Sequence, residues 1–218
     1  KYEVKVSTHI LNVASKEAVH AFAEEVIHFH DKVHIVMNNA GVGLIASLEQ
    51  MEYEDFEWLM NINFWGVVYG TKAFLPFLKK AGEGHIINVS SLFGLVGIPN
   101  QSAYNASKFA VRGFTESLRM ELEMYGEKIS ATCVHPGAVK TNIVTNSKIT
   151  TKTGIFKDKE KAVRSFEKTT TTTAEQAAVK IIQGIKQNRR RILIGTDALI
   201  ADATQRLFPE SYQKEVVK

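Results

Sequence analysis

Short apolar runs alternate with helically spaced segments along this chain, and that alternation limits its fold more than any other feature. VHIVM at 33–37, HIINVS at 85–90, ISATCV at 129–134 and ILIG after Arg191 each read as a short buried strand. VKVSTHILNV at 4–13 mixes alternation with β-branched residues and reads as one more. Between the strands lie helices. Ser15 can cap one, with Glu17 in its first turn and Val19, Phe22, Ala23, Val26 and Ile27 as an apolar stripe. Two more are expected from about Tyr53 to Met60 and from Asn63 to Lys79, where Gly66 and Gly70, one turn apart, suggest close helix contact. Pro76 lies late in the second, where it bends the run or is tolerated. A long helix from Ser102 to Tyr125 sets Phe109, Phe114, Leu118 and Leu122 against Arg112, Arg119, Glu121 and Glu123 on its polar side. Thr173 and Gln176 have the form of a capping box that opens a helix through Ile185. Strands and helices in this order argue for parallel pairing under helices.

At 218 residues the chain is long enough for one domain with its own core. A net charge of +4 makes no case for nucleic acid, because basic residues alternate with acidic ones except in two places. One is Asn142 to Lys168, where seven cations against three acids leave +4 and the periodicity fades. The other is Arg189 to Arg191, read as cations that complement a helix C-terminus. No apolar run approaches the ~18 residues of a membrane-spanning helix, so no membrane partner is expected. The single cysteine, Cys133, cannot form an internal disulfide, which fits a reducing compartment and a cytoplasmic location. No metal site is expected.

The chemistry concentrates between Ser91 and Lys108, in SLFGLVGIPNQSAYNASK. Tyr104 and Lys108 are four apart, which on a helix places phenol and ammonium on one face. A phenol titrates near ~10 and exchanges protons poorly at neutral pH unless a cation favours its ionised form. Lys108 can supply that cation, and the Ser91 hydroxyl, at the end of a strand, can hold a carbonyl oxygen that Tyr104 protonates. Taken alone, Tyr-x-x-x-Lys is more often a surface pair. Of the six tyrosines, however, only Tyr104 has lysine at that spacing.

NVSS, YNASK and HPGAVKT, with MNNAG at 37–41 and NINFWG at 61–66, resemble the short-chain dehydrogenase/reductase family in order and spacing, from about Val6 to Gly195. The resemblance implies a doubly wound, Rossmann-like α/β sheet in three layers, incomplete at its N-terminal side, forming a single domain over 1–218 with a substrate lid at about 142–172. It implies hydride exchange between NAD or NADP and a carbonyl or secondary alcohol on a small molecule. Tyr104, Lys108 and Ser91 would be catalytic, and Asn63 would anchor a relay water, chosen over Asn61 because it precedes Gly66 by three. Asn12, Val13, Asn39, Ala40 and Gly41 would meet the adenosine half of the cofactor. Tyr104, Lys108, Pro136, Gly137, Val139 and Thr141 would meet its nicotinamide half or pyrophosphate. Asn39 to Gly41 also read as a simple turn, and His135 as a strand-end residue. The cationic lid, with Ile155, Phe156 and Phe166 as apolar contacts, raises 3-ketoacyl thioester reduction as an alternative. A non-catalytic dinucleotide sensor or scaffold on the same fold is the other. A homodimer or homotetramer through the helices at 63–79 and 102–125 is implied as well.

A glycine-rich turn after a first strand, needed to cradle a pyrophosphate, is absent from these residues. Gly41-x-Gly43 and Gly82-x-Gly84 are incomplete. The resemblance implies the family's first strand, turn, helix, second strand and helix ahead of Lys1, on the order of 50 residues. A remnant that binds no cofactor is the rival reading, which the Asn12-Val13 pair disfavours. Without them the strand at 4–13 would lack a neighbour.

Overall fold

The computed structural model describes residues 3–150 and 159–217. Four parallel strands, β1 (Ile35–Asn38), β3 (Gly84–Val89), β4 (Ile129–Pro136) and β6 (Arg191–Ile194), form one sheet in the order β1-β3-β4-β6. The register pairs Val36 with Ile86, Ile87 with Thr132 and Val134 with Ile192. Helices cover both faces of β3 and β4, which is why these strands read as continuous apolar runs, whereas β1 leaves Ile35 and Met37 exposed on one face. On one face, α1 (Lys16–His30), α3 (Gly66–Ala81) and α4 (Ser102–Met124) pack Val19, Ala23, Phe74, Leu78, Leu118 and Leu122 against Val36, Ile86 and Ala131. On the other, Ala177, Ile181 and Ile185 of α6 (Ala174–Lys186) meet Ile87, Val134, Ile192 and Ile194. This is the three-layer, doubly wound α/β arrangement that the resemblance implies.

Local signals set the helix ends. The Ser15 hydroxyl accepts from the Ala18 N–H at 3.2 Å and starts α1. Thr173 and Gln176 exchange the reciprocal bonds of a capping box, at 3.2 and 2.9 Å, and start α6. Pro76 sits inside α3 without ending it.

Four expectations are corrected. Residues 4–13 form no strand: among the described residues nothing pairs with them, and alternation without a partner ladder cannot hold a strand. They lie instead against α1, with Ser7 bonded to His30 at 3.0 Å and the His9 ring edge-on to Phe22 at 5.2 Å. The glycines of α3 do not serve a helix contact. A Cβ on Gly66 would lie 3.1 Å from the Val13 side chain, and one on Gly70 would lie 2.2 Å from Asn38 Oδ1, so loop and strand are what press on that face. Arg119 is buried rather than solvated, because its guanidinium reaches past the core to the Ala131 carbonyl at 3.2 Å and Asn188 at 2.9 Å.

Within 142–172 two elements form. β5 (Lys148–Ile149) pairs in parallel with β2 (Leu44–Ile45), and α5 (Lys159–Thr169) follows. Lys152, Ile155, Phe156 and Lys157 lie outside the described residues. The fourth concerns Arg189 to Arg191, of which Arg190 and Arg191 are engaged by acids on other segments while Arg189 stays at the end of α6. Arg190 pairs with Glu123, Arg191 with Glu116 and Asp202, and Arg189 with Gln187.

Asn38, displaced by any side chain at position 70, donates to Asn88 at 2.8 Å and Thr71 at 3.2 Å inside the core. Gly70→Ala should therefore lower stability by about 1–3 kcal/mol in a urea titration. Gly113→Ala, whose added carbon meets nothing within 4 Å, should be neutral or stabilising by up to ~1 kcal/mol. Equal effects of the two changes would contradict this packing.

Candidate active site

The site forms where β3 ends and α4 begins. Ser91 leaves β3 in extended backbone and opens a short 3-10 turn, Leu92–Gly94, its hydroxyl accepting from Phe93 N–H at 3.1 Å. α4 is drawn against this turn by backbone contact. Ser90 Oγ donates to the Lys108 carbonyl at 2.7 Å, and a Cβ on Gly94 would stand 2.7 Å from that same carbonyl, so only glycine fits there. Asn105 closes the loop from inside, donating to Phe93 O and Val96 O at 2.7 Å each and accepting from Ile98 N–H at 3.1 Å.

That contact fixes Tyr104 and Lys108 on one face of α4. The Tyr104 hydroxyl faces the Ser91 side chain, and its ring meets Phe93 edge-on at 6.1 Å. Burial raises the phenol above its ordinary value, and the Ser91 side chain only partly opposes this. The Lys108 Nζ lies 5.7 Å from the centre of the Tyr104 ring and donates to the Val89 carbonyl at 3.1 Å. Lys108 is 5 % exposed, and burial pulls its ammonium down to about 8. In this arrangement the lysine is spent on a main-chain carbonyl, and the phenol stays firmly protonated. The pair is poised as donor and cation rather than as a ready phenolate.

Asn63 completes the group. It sits in a five-residue π turn, Asn61–Trp65, that widens the helical run between α2 (Tyr53–Met60) and α3 and aims one asparagine inward. Asn63 is fully buried and Asn61 is exposed. Its amide accepts from Val42 N–H at 2.8 Å, donates to Val42 O at 3.0 Å and reaches Ser107 Oγ at 3.3 Å. A Cβ on Gly41 would lie 3.3 Å from Asn63 Oδ1 and 3.5 Å from Lys108 Nζ, so Gly41, Asn63 and Lys108 stand together.

The other residues singled out in sequence fall in two places. Val13, Asn39 and Ala40, with Asn38, Ile62, Gly66 and Val67, line a small open depression. Asn12 beside it is exposed and bonds its own loop at Ala14 N–H, at 3.1 Å. Pro136 and Gly137 end β4, where Gly137 N–H donates to Ile194 O at 2.8 Å. Val139 is buried and bridges to Thr172, and Thr141 is exposed. Among the described residues no cluster of three or more His, Cys, Asp or Glu could hold a metal ion.

Sequence reasoning missed four residues here. Asp197, in the first turn of α7 (Thr196–Leu207), accepts from Ala138 N–H at 2.6 Å and fills the space that Gly137 leaves. A glycine opposite an acid some sixty residues on gives no sequence signal. Ser107 joins Asn63 to the Tyr104 carbonyl, which it meets at 2.8 Å. Asn105 and Ser107 both lie in YNASK, and their polarity inside a helix was the available sign. His135, set aside as a strand-end residue, is fully buried and bonds Ser91 O at 2.8 Å.

The family described as short chain dehydrogenase matches residues 1–152. SadH of Mycobacterium tuberculosis, named as an oxidoreductase, is 41% identical over 213 residues, spanning 97% of this chain and 76% of its own. The 3-ketodihydrosphingosine reductase of Bacteroides thetaiotaomicron is 38% identical over 154 residues, 71% of this chain and 56% of its own. Among solved structures, a short-chain dehydrogenase/reductase from Burkholderia phymatum in complex with NAD superposes with a TM-score of 0.81 at 28% identity, over 94% of this chain and 75% of that one. Site geometry, fold and sequence agree, and the chain belongs to the short-chain dehydrogenase family.

Proposed function

We propose that this chain interconverts a carbonyl and a secondary alcohol with NAD or NADP, and that Ser91, Tyr104, Lys108 and Asn63 do the chemistry. One observation carries the reading: a buried phenol facing a serine side chain at a strand end, with a buried lysine amine 5.7 Å from the phenol's ring centre. The nicotinamide, when bound, supplies or accepts the hydride at carbon. Ser91 holds the substrate oxygen and Tyr104 gives it a proton. Burial suits the phenol to this, because it enters as donor rather than anion. Lys108 stabilises the phenolate left behind, and Asn63, Gly41 and Val42 shape the route by which Lys108 recovers a proton. Val13, Asn39 and Ala40 would hold the adenosine end, with Pro136, Gly137, Val139 and Thr141 toward the nicotinamide.

Lys108 separates this reading from a non-catalytic role on the same fold. Moving its ammonium from 10.5 to about 8 costs the folded protein on the order of 3 kcal/mol at neutral pH. A scaffold gains nothing from such a cost. Among substrates, a ketone at carbon 3 of a longer chain is favoured by the likeness to the 3-ketodihydrosphingosine reductase. The acyl-thioester version draws little from the lid's described cations, since Lys148 is paired with Asp55 and Arg164 with Glu160. Exposed Phe109, Met120 and Met124 on α4, with Tyr125 at its end, support a homodimer or homotetramer through that helix. The buried, unpaired Cys133 suits a reducing compartment such as the cytoplasm.

Tyr104→Phe should lower kcat for ketone reduction by at least about 10²-fold while the protein stays folded. NAD(P)H turnover at the wild-type rate in the folded variant would refute the assignment. For Lys108, the folded value lies below the unfolded one, so the penalty is fully present below about 8 and disappears as pH rises toward 10.5. Lys108→Met should accordingly raise the melting temperature at pH ~7, and the advantage should shrink through that alkaline window. A variant less stable than wild type at neutral pH, with no such trend, would show that the ammonium carries no burial cost.

A further inference from the structure

His135 is on the face of β4 that meets α4, one residue past the last β3–β4 pair, Val89 with Val134. The ladder's final main-chain bond is Ser90 N–H to Val134 O at 2.8 Å. At the next step backbone pairing stops, and a side chain takes over: His135 Nδ1 lies 2.8 Å from the Ser91 carbonyl. A carbonyl oxygen only accepts, so Nδ1 must carry the proton. The other ring nitrogen, Nε2, is buried without a partner among the described residues, which suits a bare lone pair far better than an N–H. Burial also holds the ring down to about 4, with Arg191 and Arg112 acting the same way, so it stays neutral through the working range.

We infer that His135 is a positioning residue for Ser91. Its Nδ1–H, together with Gly94 N–H at 3.0 Å on the same carbonyl, fixes the Ser91 backbone and hence where the Ser91 hydroxyl meets Tyr104. β4 thereby reaches across to the catalytic turn through one imidazole. A small displacement of the hydroxyl is enough to matter, since misplacement by about 1 Å can cost 10²-fold in rate. This deepens the proposed function and rests on its reading of Ser91 and Tyr104.

The test compares His135→Asn with His135→Gln. Asparagine puts an N–H where Nδ1–H stands, whereas glutamine carries its amide one carbon farther, toward the Nε2 position. With ethyl acetoacetate and NADPH or NADH as probes, His135→Asn should keep most of the wild-type kcat. His135→Gln should lose roughly 10- to 100-fold in kcat with KM for the nicotinamide cofactor unchanged. Equal activity of wild type and His135→Gln, or equal losses in both variants, would overturn the inference. Long-range ¹H–¹⁵N correlation on ring-labelled wild-type protein decides the matter without turnover. The inference requires a neutral His135 ring protonated at Nδ1 across neutral pH. A proton on Nε2, or a second proton gained near the ordinary value of 6.5, would contradict it. Absence of turnover in the wild type, with the Nδ1–H tautomer present, would count against the proposed reaction and not against the contact.

Discussion

A lysine ammonium held out of water is the constraint around which this protein is built. Lys108 is inside because its helix is pulled onto the end of β3 by main-chain contacts that tolerate no side chain at Gly94. Once there, its amine donates to the Val89 carbonyl and has Gly41 and Asn63 beside it. The result is a cation weakened by burial next to a phenol that burial keeps protonated. Each group alone would be inert near neutral pH. Side by side they are the pair proposed to act as proton donor and counter-charge.

Keeping such a pair in place requires stiffness that an apolar core alone does not supply. Polar side chains run through the layers instead. Asn38 reaches Asn88 and Thr71, and Asn88 reaches Thr115, which links α3, β1, β3 and α4 by bonds of defined direction. Asn105 ties the 93–98 loop to α4 with three bonds, and Tyr212 accepts from Gly97 N–H at 3.0 Å on the outer side. Each of these amides makes at least two such bonds, and an orphaned one would cost about 1–3 kcal/mol. Directional bonds of this kind favour one loop geometry over its neighbours.

The fold was legible where local chemistry and burial agree. Ser15 and Thr173 announce their helices by capping, and the strand runs announce a sheet covered on both faces. The Ser91, Tyr104 and Lys108 set was legible because helical spacing puts two of them on one face and a strand end supplies the third. What could not be read depends on distant partners. Residues 4–13 carry strand-like alternation, yet alternation does not say whether a ladder is there to receive it. The burial of Arg119 depends on the Ala131 carbonyl and on Asn188, neither of which its own helix reveals. His135 likewise looks like any strand-end histidine until Ser91, forty-four residues earlier, is placed beside it. The π turn that sends Asn63 inward and Asn61 outward is a backbone choice with no side-chain signature.

The burial of Lys108 is open to direct observation. Side-chain ¹⁵N-lysine NMR titration of the wild-type protein should show one amine that titrates near 8, well apart from the rest, and the Lys108→Met protein should lack that signal. If every lysine titrated together near 10.5, the ammonium would be solvated and the arrangement described for Tyr104 would be wrong.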